Sequence, residues 1–190
     1  MKDFAFGMPT RIVFGQGASA RMGALCREYG AAKVMVITDK IIGASEGFQL
    51  IKAGLDRDGI DYEIFDDVIP EPPAEHVDKA AEQIKTSGCG MVIAVGGGSA
   101  IDSAKAIALA ATNPGNYWEY VKGREVENAA LPIVAIPTTA GTGTESDPWT
   151  VITNLETNEK IGFGIKQLFP TLSIVDPELM VSVPANLTAY

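Results

Sequence analysis

Histidine occurs once and cysteine twice in these 190 residues, and no uninterrupted apolar stretch approaches the roughly 20 residues that a membrane helix needs. A disulfide framework is excluded, because Cys26 and Cys89 make at most one bridge. Neither sits in a Cys-x-x-Cys pattern or beside histidine, so no zinc site is readable either. Both read as small buried apolar residues. The single His76 falls inside an expected helix without a partner histidine or paired carboxylate at helical spacing, and it is not read as a metal ligand. Basic charge is scarce too. Fifteen Lys and Arg face 24 Asp and Glu, a formal net charge of −9, and no basic stripe exists to follow a phosphate backbone, so nucleic acid is not an expected partner. The start MKDFAFGMPTR has no long apolar core of a secretory signal. No membrane partner is expected, and the expected location is cytoplasmic. No Ser/His/Asp or Cys/His nucleophile arrangement can be assembled, so the catalytic residues stay unassigned.

Glycine is plentiful instead, 20 residues in all, and three stand together in MVIAVGGGSAIDSAK, residues 91–105. The continuously apolar Met91 to Val95 reads as a strand buried on both faces. Gly96, Gly97 and Gly98 then remove side chains where the backbone turns and an anion could approach it. A helix follows from Ser99 to Thr112, with Ile101, Ala104 and Ala108 at helical spacing. Ser99 and Asp102 have the spacing of a capping box. The dinucleotide fingerprint GxGxxG is not met, since Ile101 stands where the third glycine belongs.

Elsewhere strands and helices alternate. Strands are expected at Arg11–Phe14, Lys33–Thr38, Tyr62–Phe65, Ile133–Ile136, Lys160–Phe163 and Leu172–Val175, and helices at Ala18–Tyr29, Glu46–Arg57 and Ala74–Thr86. Val68 to Pro73 reads as a proline-rich loop, the stretch around Asn113, Pro114, Gly115 and Trp118 as irregular, and PTTAGTGTESDPWTVITN from Pro137 as a polar ligand-facing loop. Pro184 opens a new helix. The pattern predicts an α/β fold, a three-layer, Rossmann-like, mostly parallel sheet with flanking helices, whose ligands bind beyond the carboxyl ends of the strands. Asp39, Gly96 to Ser99 and Thr138 all fall at such ends, which predicts one shared pocket.

Each candidate has a plainer alternative. Asp39 suits an adenosine ribose, where a carboxylate accepts two hydroxyls and repels a 2′-phosphate, favouring NAD over NADP, but it equally suits a cap on the next turn. Thr138, Thr139 and Thr142 offer hydroxyls to a ribose, a pyrophosphate or a carboxamide, and also suit turns. Lys160 is a point charge for a phosphate or a solvated surface group. Gly15, Gly17 and Ala20 imitate a GxGxxA fingerprint, and a structural turn is the reading adopted.

Taken together, GGGSAIDSAK at residues 96–105, IPTTAGTGTE at 136–145, MPTRIVFGQGA at 8–18 and VDPEL at 175–179 resemble the iron-dependent, or group III, alcohol dehydrogenases, in order along essentially the whole chain. The resemblance implies that Asp39 meets the adenosine ribose, that Gly97, Gly98, Ser99 and Asp102 meet the pyrophosphate, and that Thr138, Thr139 and Thr142 lie toward the nicotinamide. It places Lys160 and Leu179 among the cofactor-lining positions. Two loops depart from the family: Glu71-Pro72 stands where Asn-Pro is usual, and GTGTE where GTGSE is usual. In the family an all-helical domain follows, whose Asp and His residues hold a divalent metal such as iron or zinc. The expectation is therefore a dinucleotide-binding domain over 1–183 and the start of a truncated helical domain at 184–190. The chain would be the NAD-binding portion of an enzyme interconverting an alcohol and an aldehyde, inactive by itself, with no metal ligands of its own; the family also points to homodimers. The alternative is a standalone nucleotide-binding or assembly module that pairs with a separate helical metal-binding partner.

Overall fold

The computed structural model describes residues 7–185. Six strands form one sheet: β1 (Arg11–Phe14), β2 (Lys33–Ile37), β3 (Asp61–Phe65), β4 (Val92–Gly96), β5 (Ile133–Pro137) and β8 (Leu172–Val175), in the order β1-β8-β5-β4-β2-β3. Every pairing among them is parallel. Their side chains alternate between two cores, as strands covered on both faces require. Met35, Ile37, Val92 and Ala94 pack beneath α4 (Ala74–Ser87), α5 (Gly98–Ala110) and α6 (Tyr117–Val121). Val34, Val36, Ile93 and Val95 pack beneath α1 (Met22–Glu28) and α3 (Glu46–Arg57). The expected three layers are present.

Local chemistry sets the boundaries. Ser45 caps α3, its Oγ accepting from the Phe48 amide at 3.2 Å. Gly88 ends α4 at φ +73°, a conformation that glycine enters without a Cβ penalty. α1 and α3 cross through their glycines: a Cβ on Gly23 would lie 2.5 Å from the Gly54 carbonyl oxygen and 2.5 Å from Asp58 Cβ. Gly23→Ala therefore sets a helix-propensity gain of about 1 kcal/mol against a backbone collision. The collision dominates, and we expect a net loss of about 2 kcal/mol in urea unfolding; a stabilised variant would show that the helices separate freely.

Four sequence expectations change. The helix expected from Ala18 begins as a 3₁₀ turn, Ala18–Arg21, before α1. A short helix, α2 (Lys40–Gly43), follows β2. The stretch read as irregular contains α6, opened by a capping box of Asn116 and Glu119. The polar segment after β5 contains β6 (Trp149–Asn154), which pairs antiparallel with β7 (Glu159–Gly164) as a hairpin outside the parallel sheet. Lys160 thus lies on that hairpin rather than in the main sheet. Threonine is a good strand former on a half-buried surface, and Thr150 and Ile152 supply the buried positions. The helix expected from Pro184 runs into residues 186–190, which lie outside the described residues, as does most of the 184–190 domain start.

Candidate functional site

The strand order reverses between β2 and β4: the chain moves outward from β2 to β3, then crosses back to β4 on the other side. Ligands of open parallel sheets bind in the crevice at such a point. Thr38 Oγ1 donates to the Val95 carbonyl at 2.8 Å and ties the two strand ends together. Asp39 stands on one lip and the triple glycine on the other; a Cβ on Gly96 would lie 4.0 Å from Asp39 Oδ2.

Asp39 satisfies one of its two readings visibly. Its Oδ1 caps α2, accepting from the Ile41 amide at 2.8 Å and the Ile42 amide at 2.9 Å. Oδ2 faces the glycine turn, so capping leaves a carboxylate oxygen directed at the crevice.

The glycine turn is packed from the other side by the threonine loop. A Cβ on Gly97 would sit 3.1 Å from Thr139 Oγ1, and one on Gly98 3.2 Å from Thr142 Cγ2. The Thr138 amide donates to the Gly96 carbonyl at 3.0 Å. The expected capping box fails here. Gly97 is the N-cap of α5, and no side chain caps that end. Strand and helix each begin a residue away from the expected position, which puts Ser99 inside the first turn. The start of α5 thus presents amides, and the positive end of its dipole, toward the crevice.

Asp102 serves another purpose. Its Oδ1 accepts from Thr144 Oγ1 at 2.6 Å and its Oδ2 from the Val151 amide at 3.0 Å, joining α5 to the segment after the threonine loop. Burial raises its pKa despite these bonds. Lys105, one turn on, is 0 % exposed, and burial pushes its pKa down against the attraction of Asp147. No role was read from sequence for Thr144, Asp147 or Lys105, although GTGTE in place of GTGSE marks Thr144 as a departure. The available signal was a pair of opposite charges three apart in a helix otherwise made of Gly, Ala, Ile, Leu and Ser.

Two concavities flank the turn. A mainly apolar cavity of about 410 Å³ is lined by Ile42, Phe48, Val95, Thr138 and Leu179 among others. On the opposite side, a groove of about 340 Å³ runs past Gly98, Asp102, Thr142, Thr144 and Trp149. Lys160 lines neither and is exposed, its Nζ 2.9 Å from Glu71 Oε1. The glycines of FGQG keep their structural reading: the Gly17 and Ser19 amides donate to the buried Asp176 carboxylate at 3.1 and 3.0 Å.

The model of the family described as iron-containing alcohol dehydrogenase matches residues 9–177. The chain belongs to the iron-containing alcohol dehydrogenases. It is 36 % identical over 183 residues to the NAD-dependent methanol dehydrogenase of Bacillus methanolicus, covering 96 % of this chain and 48 % of that protein. Against the NADH-dependent butanol dehydrogenase B of Clostridium acetobutylicum it is 36 % identical over 189 residues, covering 100 % of this chain and 48 % of the relative. The crystal structure of sulfoacetaldehyde reductase from Bifidobacterium kashiwanohense in complex with NAD+ superposes with a TM-score of 0.94 at 34 % identity, covering all of this chain and 50 % of that one. The chain thus spans about half the length of the relatives it matches. A protein metal site needs several ligating side chains gathered together. Among the described residues no group of three or more His, Cys, Asp or Glu could hold one. His76 Nδ1 instead lies 3.0 Å from the Asp67 carbonyl. The described residues do not fit the family metal, and no step is assigned to it.

Proposed function

We propose that this chain is the NAD-binding portion of a metal-dependent alcohol dehydrogenase, serving hydride transfer between an alcohol or aldehyde and the nicotinamide. The observation that carries the reading is the uncapped start of α5 behind Gly96–Gly98, set at the sheet's reversal point and faced by Asp39 Oδ2. NAD, when bound, supplies the acceptor or donor of the hydride. The chain's own residues bind and orient it. Gly97, Gly98 and Ser99 offer main-chain amides to the pyrophosphate, which a helix N-terminus stabilises. Asp39 Oδ2 accepts from the adenosine ribose and disfavours a 2′-phosphate by charge. Leu179, with Ile42 and Phe48, lines the apolar cavity that suits the adenine ring. Thr138, Thr139 and Thr142 lie on the loop toward the nicotinamide. Lys160 reaches a cofactor only by exchanging its Glu71 partner, and at such exposure that ion pair is a weak restraint. Asp102 acts through Thr144 rather than on the pyrophosphate.

The test is a titration of the folded chain with NADH and, separately, NADPH, following tryptophan emission. Trp149 is 55 % exposed on the groove beside Gly98, whereas Trp118 is buried. Saturable quenching by NADH that Trp149→Phe removes is the expected result; a folded chain that answers neither nucleotide sinks the proposal. Asp39→Ser retains a capping oxygen but loses the second acceptor. We expect NADH affinity to fall about tenfold, the worth of a charge-assisted hydrogen bond, while the NADPH disadvantage shrinks and the unfolding midpoint holds.

A further inference from the structure

We infer that Lys105 is a positioning residue for the nicotinamide side of the site, setting the geometry of the threonine loop through the acceptors of its buried ammonium; this rests on the NAD-binding reading above. Lys105 is fully buried, and its ammonium has three acceptors, all on the segment that follows the loop: Thr144 Oγ1 at 2.8 Å, Asp147 Oδ1 at 3.0 Å and the Trp149 carbonyl at 2.7 Å. Three donors meet three acceptors, so the charge is fully satisfied. The Thr144 hydroxyl that accepts from Lys105 donates its own proton to Asp102 at 2.6 Å, and Asp147 Oδ1 also accepts from the Trp149 amide at 2.8 Å. Asp102 and Lys105 lie three apart on one face of α5, the helix whose first turn forms the proposed anion site. Both residues therefore refer the loop to the same rigid body that holds Gly97 and Gly98.

The loop needs such a reference. Gly141 and Gly143 sit at φ +114° and +70°, and a Cβ on either would meet nothing within 4 Å, so packing at these glycines does not fix the turn. Thr142, between them, lines the groove with Gly98, Asp102, Thr144 and Trp149. A buried ammonium is a poor source of stability, because an apolar side chain of similar length avoids the desolvation of the charge; Asp147, its ion-pair partner, is itself partly exposed. What a buried ammonium with three fixed acceptors provides is a single arrangement of the atoms around it.

The experiment compares the parent chain with Lys105→Met, Thr144→Val and Thr144→Ser, reading the unfolding midpoint, affinities for NADH and ADP-ribose, and amide hydrogen exchange over residues 138–151. Lys105→Met and Thr144→Val should speed exchange in that segment at least fivefold, and weaken NADH about tenfold while changing ADP-ribose less than twofold. Thr144→Ser, which keeps the hydroxyl, should behave as the parent. Equal loss of both nucleotides, or unchanged exchange in folded variants, overturns the inference. Should Lys105→Met fail to fold, the Thr144 pair decides alone by the same readings. A parent chain that binds neither nucleotide removes the functional reading and with it the nicotinamide claim, whereas faster exchange in the variants still supports the loop-setting role.

Discussion

Replacing Gly96 by valine is expected to cost the fold about 3 kcal/mol or more and to abolish NADH binding. An added Cβ would stand 2.7 Å from Ala100 Cβ, closer than side-chain carbons come, and φ at Gly96 is +154°, outside the range that valine tolerates. Relief requires either α5 to move off the sheet or β4 to end early. The first opens the core, since Ala100 and Ile101 are buried against β4, and the second breaks the Gly96–Pro137 pairing that positions the threonine loop. With typical domain stabilities of roughly 5–15 kcal/mol, such a loss leaves a marginal protein. Urea unfolding and NADH titration check it, with Gly90→Ala as the control: nothing lies within 4 Å of a Cβ there, and its amide bond to the Lys33 carbonyl remains. A Gly96→Val chain with the parent's midpoint would falsify the close-packing account of this turn.

The second large effect belongs to Asp176, 1 % exposed at the end of β8. Its Oδ1 accepts from the amides of Gly17 and Glu178, and its Oδ2 from the Ser19 amide and hydroxyl. Burial alone would raise its pKa, but the bonds from Ser19, Glu178 and Gly17 outweigh burial and hold it below the ordinary value. Asp176→Asn sets an amide N–H against donors already in place, and we expect a loss of about 3 kcal/mol at neutral pH. The sign of the pH dependence follows. A carboxyl with a depressed folded pKa stabilises fully above its unfolded value of about 3.9 and loses that stabilisation as pH falls through the folded value. Parent and variant should therefore differ most above about pH 5 and converge in acid. Denaturant midpoints measured from pH 7 down to 2 decide it; a constant gap at all pH values would mean that shape rather than charge holds the turn.

The layered α/β architecture was legible because buried parallel strands announce themselves as apolar runs ended by glycine or aspartate: Met91–Val95 before Gly96, Lys33–Thr38 before Asp39. The glycine turn was legible for the same reason. The Ser99–Asp102 pattern misled because the same spacing serves two purposes. With Gly97 as the cap, Asp102 is the fifth residue of α5 rather than the third, too far along to reach back to the cap, and its carboxylate turns sideways to Thr144 and Val151, more than 40 residues later. β6 escaped notice, although its hairpin partner β7 was expected at Lys160–Phe163, because it carries threonines and begins inside a loop-like run of Gly, Ser, Asp and Pro. Lys105 and Asp176 were invisible as functional groups because burial is a tertiary property, and long-range hydrogen bonding is what makes a buried charge tolerable.

Among the described residues β1 is the first strand and β8 the last, yet they are sheet neighbours, with Arg11 opposite Leu172. On the ribosome, Ile12 and Phe14 must therefore wait unpaired until the chain has emerged through Val175. The sheet is sealed by its most distant strand pairing, a long-range contact of the kind that forms slowly and leaves an unpaired strand open to aggregation until it does.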